Sequence, residues 1–440
     1  MHVTLAVITA AAFLRGASAC AATADGWWVW QPGESVARRN PDGRLYWHAA
    51  TLPAGAAAVR WAEPPAGEEV VPVLRLEGGA AAMEALWMKA AERVVLQLAG
   101  AQRRMVQLDF DCPVRLLPEY AAWLRGLRGR IAPVKLSVTA LAGWAPLDAA
   151  LWKDAVDEMA PMFYDLWPDE PSAVLAGSFQ PLADAAKTPP LLARWKDCPV
   201  PWRCGLADFV RVSRFSTSGK LEGHLRAWKP ESLLFAEEFG RAEPLGPGVW
   251  RLPVLRDAVA AQVAWKAGDV MIVRRPDTSA LATLTASAKA AGALGVVWFQ
   301  WPSGKGSDGW SPSHLAVPES PWQGRLKREA GRLVLHGAEK ADLPQQWEGV
   351  PRGWLLELDA PAAWFRDAGA GDFFRMESRN AAGERAAPAL ATRMGWRFAA
   401  LPAGGSLGTG PLTLAPAADW GKIRWRVTGP GLSPEWSALP

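Results

Sequence analysis

The chain has 440 residues, 50% of them hydrophobic and 21% charged, which suits a protein with a sizeable core and excludes a disordered or fibrous one. Its formal charge of +4 forms no basic stripe, which excludes a dedicated nucleic-acid binder, because such proteins concentrate Lys and Arg against phosphates. The length suits about two or three domains, or one large α/β barrel with an addition. Against 3 Tyr stand 26 Trp. Indole faces stack on sugars, but the scarcity of Ile and Asn marks a GC-rich coding bias, so each Trp has to be argued from its position.

In chain order, Val3 to Leu14 form an apolar run that closes on Ala17, Ser18 and Ala19, just before Cys20. The run resembles the core of a secretory signal peptide and is too short to span a bilayer, so residues 1–24 are predicted to direct export to the periplasm or the cell exterior. Cys20 is also a candidate lipid-anchor site, although Ala17 stands where a lipoprotein signal usually has Leu.

From residue 26 to about 325, short β-rich runs alternate with helical periodicity, the pattern of a parallel sheet crossed by helices. The strand candidates are 27–30, 58–61, 70–76, 106–111, 136–141, 160–165, 202–206 and 295–300. Eight such runs predict a (β/α)8, TIM-like barrel over 26–325. Stripes such as Met83, Leu86, Trp87, Ala90 and Val94 supply its outer helices. The interval 207–290 is too long for one crossover, and 233–239, 249–254 and 270–273 read as further strands, so an insertion is expected before the last barrel strand. After Lys327, alternating runs separated by Gly, Pro and Asp predict an all-β, sandwich-like domain over 331–440. Cys198 and Cys204, six apart around Pro199 and Pro201, are a candidate disulfide. The five His are scattered without ligand spacing and no phosphate-cradling loop is present, so neither metal nor cofactor is expected.

The most informative segment is Gln107-Leu108-Asp109-Phe110-Asp111. Strand alternation puts Gln107, Asp109 and Asp111 on one face and Val106, Leu108 and Phe110 on the other. Because helices cover the outside of a barrel, the polar set is expected inside, at the strand end where barrel enzymes keep their chemistry. Buried carboxylates there must be paired, hydrogen-bonded or partly protonated. A second polar strand end is Met162-Phe163-Tyr164-Asp165. Aromatic candidates at strand ends are Trp30, Trp144, Trp298 and Trp301, expected to face the barrel mouth, with Gln31 and Gln300 placed to hydrogen-bond hydroxyls.

The segments around Asp109, 136–141, 162–165 and 298–302 resemble a bacterial family of unknown function numbered 3142, over residues 26 to 303. That resemblance implies no activity. More distantly, Met162 to Asp165 is similar to the sixth-strand Met-x-Tyr-Asp of glycoside hydrolase family 18, the chitinase-like barrels, and Gly295 to Trp298 is similar to its eighth-strand end. This resemblance implies a glycan substrate, either a polysaccharide or a cell-envelope glycan. In that family the substrate's acetamido carbonyl attacks the anomeric carbon, an Asp and the Tyr steady it, and a Glu protonates the leaving oxygen. Aligned on the motif Asp-x-x-Asp-x-Asp-x-Glu, the last two Asp fall on Asp109 and Asp111, but the acid Glu falls on Pro113 and the first Asp on Val106. Two substitutes are chemically possible: Asp111 as acid opposite Asp165, or Glu119 from the following helix. Asp109, Asp111, Tyr164 and Asp165 are therefore the candidate catalytic residues, and Trp30, Gln31, Gln107, Trp144, Trp298, Gln300 and Trp301 the candidate sugar-binding residues. The alternatives are a barrel that binds glycans without cleaving them and a structural envelope lipoprotein.

Overall fold

The computed structural model describes residues 25–30, 43–53, 59–67, 69–78, 83–100, 103–226, 228–303, 306–349, 352–361, 363–415, 420–432 and 435–439. The predicted signal segment, Cys20 and Gln31 lie outside the described residues.

Eight parallel strands close into a barrel in the order Gly26–Val29, Arg44–Leu52, Val70–Leu76, Met105–Asp109, Lys135–Leu141, Glu158–Met162, Cys204–Ala207 and Val296–Phe299. Closure comes from the first strand, which pairs with both the second and the eighth. One predicted strand is corrected: the second barrel strand is Arg44–Leu52, while Arg60–Trp61 is a short antiparallel edge on it. The reason is burial on two faces. Leu45 and Trp47 enter the layer between strands and helices while Tyr46 enters the barrel, whereas Trp61 is exposed.

The outer layer is held by Ala85–Ala99, Leu117–Ile131 and Thr278–Ala290. Trp87, Val94 and Leu98 of the first helix, Leu124 and Leu127 of the second and Leu281 and Leu284 of the third join Val106, Leu108 and Phe110 in one apolar core. Thr278–Ala290 starts where Asp277 accepts from the backbone N–H groups of Ser279 and Ala280, a side-chain cap on otherwise orphaned donors. This helix falls within the range read as insertion, yet it packs on the barrel.

The barrel interior is polar at two levels below the mouth. Glu158 accepts from Tyr46 at 2.7 Å, Arg44 at 3.0 Å and Arg203 at 3.2 Å, so a buried carboxylate is satisfied by two cations and a phenol. Above it, the Trp28 indole donates to Gln107 Oε1 at 2.7 Å and Gln107 Nε2 donates to Ser137 at 3.0 Å. Gly205 makes room for Trp28: a Cβ there would stand 2.9 Å from the indole and 3.0 Å from the Pro161 carbonyl.

Between the seventh and eighth strands lies a five-stranded antiparallel sheet of Arg211–Phe215, Leu221–His224, Glu243–Gly246, Val249–Pro253 and Val270–Arg274. The stretch read as a strand at 233–239 is not one: the short helix Pro230–Leu234 takes its first two residues, with Pro in the first turn, where a missing N–H costs nothing, and a turn follows. After the barrel come antiparallel sheets of three, five and two strands, packed around Leu335, Leu356, Phe365, Trp396 and Leu414. The expected Cys198–Cys204 disulfide is absent. Cys204 sits within the seventh strand and points into the outer core, while the Cys198 thiol donates to the Val200 carbonyl at 3.1 Å.

Candidate functional site

The fourth barrel strand ends at Asp109, and alternation points its carboxylate inward at the mouth while Phe110 enters the outer core. The third strand delivers Arg75, the direct register partner of Asp109. Its guanidinium spans both acids, reaching Asp109 Oδ2 at 2.9 Å through Nη1 and Asp111 Oδ2 at 2.8 Å through Nη2. Thr139, from the fifth strand, donates to Asp109 Oδ1 at 2.8 Å and accepts from the Phe110 N–H. Asp109 is buried and Asp111 is half exposed. Burial pushes the Asp109 carboxyl above its usual value, with Asp111 adding to the shift and Arg75 and Thr139 opposing it.

Tyr164 stacks on Phe299 with ring centroids 5.6 Å apart and meets Phe209 edge-on. Burial raises its phenol well above the usual range, and Asp109, Asp111 and Asp165 raise it further while Arg75 opposes them. Tyr164 thus lies within electrostatic reach of Asp109, Asp111 and Asp165. Asp165, in the left-handed region at φ 55°, is exposed and ion-paired with Arg211 at the start of the inserted sheet. Trp30 continues the same wall, stacked at 4.6 Å on His48 and packed against Phe299 at 5.6 Å.

Several expected site residues lie elsewhere. Trp298 points into the outer core beside Trp27, at 6.2 Å. In the eighth strand it is Val297 and Phe299 that face the interior, so the mouth position expected for Trp298 belongs to Phe299, one residue on. Trp301 meets Trp27 edge-on at 5.3 Å, and Trp144 stacks on Trp152 at 5.6 Å in the same layer. Gln107 is fully buried with its amide engaged by Trp28 and Ser137, a structural brace below the mouth. Gln300 is almost buried, its backbone N–H donating to the Asp208 carbonyl at 3.2 Å. Glu119 is exposed in the first turn of Leu117–Ile131. Sequence reasoning missed Arg75, Thr139, His48 and Phe299. Arg75 had a signal, as the one charge in the apolar run Val70 to Leu76.

This constellation sits at the mouth of a closed barrel of eight parallel strands. Residues 66–159, which carry Arg75, Asp109 and Asp111, match the model of a family described as a domain of unknown function (DUF3142). No curated protein matches the chain. Among solved structures, a chitinase from Chromobacterium violaceum ATCC 12472 is similar at 12% identity and a TM-score of 0.42, covering 63% of this chain and 94% of that one. The spore cortex-lytic enzyme SleL of Bacillus cereus is similar at 14% identity and a TM-score of 0.43, over 63% and 70%. The chitinase-like agglutinin RobpsCRA from Robinia pseudoacacia is similar at 17% identity and a TM-score of 0.41, over 63% and 94%.

Proposed function

We propose that this chain is a glycoside-hydrolase-like barrel that takes a polysaccharide or cell-envelope glycan across its mouth. The observation that supports this reading most is the Asp109–Arg75–Asp111 cluster under an aromatic wall of Trp30, Phe299 and Tyr164. Aromatic faces cover the apolar C–H face of a sugar ring while charged groups address its hydroxyls. As a hydrolase, the site would divide its work between two carboxyls. The half-exposed Asp111 faces the substrate as base, and Asp109, buried behind the shared Arg75, sets the charge around it. This reverses the sequence expectation, in which Asp111 was the acid. Tyr164 steadies a substrate carbonyl or hydroxyl.

A second reading, binding without cleavage, is favoured by two observations. Arg75 donates to both carboxylates, and the position of the chitinase-like acid is Pro113, whose side chain has no acidic proton to donate. The experiment is incubation of the protein with a panel of polysaccharides and peptidoglycan, followed by mass spectrometry of products and by pull-down. Released fragments that disappear in Asp111→Asn support hydrolysis. Saturable binding without fragments supports the second reading, and neither binding nor product on any glycan refutes both.

Export belongs to the same proposal, since a glycan of the envelope is met outside the cytoplasm. Its support is the Val3 to Leu14 run and the small residues before Cys20. Mass spectrometry of the mature N-terminus tests cleavage, and palmitate labelling lost in Cys20→Ala tests the lipid anchor.

A further inference from the structure

The five-stranded sheet after the barrel runs in the order Arg375–Arg379, Arg393–Phe398, Trp354–Asp359, Arg424–Thr428 and Ser437–Ala438. Its inner face is apolar, with Leu356, Leu358, Met394, Trp396, Trp425 and Val427 in the C-terminal core. Alternation therefore sends the residues between them to the outer face. There the register sets Arg379, Arg393, Asp359 and Arg424 in one row. The next row carries Glu377, Glu357 and Arg426, and beyond it Arg375 stands opposite Arg397. Six guanidiniums thus share one sheet face with three carboxylates.

The two signs lie at different depths. The side chains of Asp359, Glu377 and Glu357 are 4%, 20% and 21% exposed, whereas those of Arg379, Arg393 and Arg424 are 47%, 46% and 49% exposed. The carboxylates are the lower layer, and each is occupied in holding arginines. Asp359 accepts from Arg393 Nε at 3.1 Å and from Arg424, Glu377 from Arg397 at 2.8 Å, and Glu357 from Arg426 at 2.7 Å. Among the described residues, Arg375 has no carboxylate partner, and Arg393 forms its ion pair through Nε alone, which leaves both of its outer nitrogens for solvent.

This excess is not what a sheet needs. Like charges directly opposite on neighbouring strands destabilise it, yet Arg375 faces Arg397 and Arg379 faces Arg393 in register. Burial lowers the Arg397 pKa and the Arg375 charge lowers it further, against Glu377 and Glu357. At the edge of the same face the partly exposed Trp436 lies 4.3 Å from the Arg426 guanidinium and 5.6 Å from that of Arg424, so a flat ring is fixed beside the cations.

A guanidinium fork matches a carboxylate, and an aromatic face matches the C–H face of a sugar ring. Neighbouring strands are about 4.8 Å apart, close to the length of one sugar unit in an extended chain, so guanidiniums along a row can meet acid groups that recur along a polymer. We infer that the outer face of this sheet binds an acidic polysaccharide, its carboxylates along the arginine rows and one sugar ring against Trp436. The surface shares no residue with the barrel mouth, and the inference does not depend on what the mouth binds or cleaves.

The test is calorimetric titration of the full chain with polygalacturonate and hyaluronate, with fully methyl-esterified polygalacturonate, with phosphatidylglycerol vesicles and with duplex DNA. Saturable binding of an acidic polysaccharide is expected, weakening as salt is raised and at least about tenfold tighter than binding of the ester, the vesicles or the DNA. Arg375→Gln, Arg379→Gln and Arg393→Gln leave Arg424 on Asp359 and Arg397 on Glu377. Each is expected to weaken binding by roughly two- to fivefold, and the three together by at least about tenfold. Trp436→Ala is expected to weaken it by roughly three- to tenfold, and Trp30→Ala, at the mouth, to leave it unchanged. Equal affinity for the acid and its ester, no saturable binding of either acid polymer, tighter binding of vesicles or DNA, or parent affinity in the folded triple variant would overturn the assignment.

Discussion

Arg75 and Asp109 are register partners on neighbouring barrel strands, and their side chains meet at 2.9 Å over the barrel interior. The guanidinium offsets a carboxylate that burial disfavours, so the pair is a condition for keeping charge at the mouth at all. Arg75→Met strands that carboxylate with Thr139 as its remaining close donor, and a loss of about 3 to 5 kcal/mol of stability is expected by urea unfolding. Asp109→Asn in the same background should restore much of it. A single variant as stable as the parent would show that the pair holds nothing in place.

The protonation of Asp109 gives stability a definite pH dependence. Its folded pKa is raised, so the folded state holds the proton more tightly than the unfolded chain. The contribution is fully present below the unfolded carboxylate value and is lost as pH rises through the raised folded one. Asp109→Asn removes this term, so its stability relative to the parent should improve from acid to neutral pH. Unfolding curves across that range measure it, and a difference that is flat or slopes the other way contradicts the assignment.

Gly205 is required by a neighbour's volume rather than by its own backbone. Gly205→Ala forces its methyl against Trp28 and the Pro161 carbonyl, and overpacking of this kind costs typically about 1 to 3 kcal/mol. Since Trp28 also holds Gln107, thermal unfolding should show a lowered midpoint. An unchanged midpoint would mean that the indole has room to move.

The three cysteines among the described residues, Cys112 and Cys204 buried and Cys198 partly so, should behave as shielded thiols. Burial raises Cys112 to about 12 and Cys198 to about 11, and pushes Cys204 higher still; the thiolate is the reactive form. All three should resist a thiol reagent at neutral pH until the protein is unfolded, and unreduced peptide mapping should find Cys198 and Cys204 unlinked. A Cys198–Cys204 crosslink in the folded protein would contradict the free thiols of this structure.

How much of this was legible depended on local contrast. Gln107 to Asp111 alternates polar and apolar residues, so its phase could be read, and Gln107 and Asp109 do point inward. Val296 to Phe299 is apolar on both faces, as strands buried on two sides are, so nothing local fixed its phase and Trp298 was placed at the mouth one residue out of step. Arg44–Leu52 went unread because Arg44 and His48 interrupt its apolar run. The partnership of Arg75 with Asp109 depends on register between two strands more than thirty residues apart, which no local pattern carries.

The central claim is that the barrel mouth is a glycan site built on Asp111 and the aromatic wall. The most direct measurement is the dissociation constant for the best glycan from the panel, compared between the parent, Trp30→Ala and Asp111→Asn at matched folding by circular dichroism. The account predicts that Trp30→Ala weakens binding by roughly three- to tenfold, the loss of one aromatic face, and that Asp111→Asn changes affinity, turnover or both. Parent-like affinity and turnover in both variants would place the glycan elsewhere and contradict it.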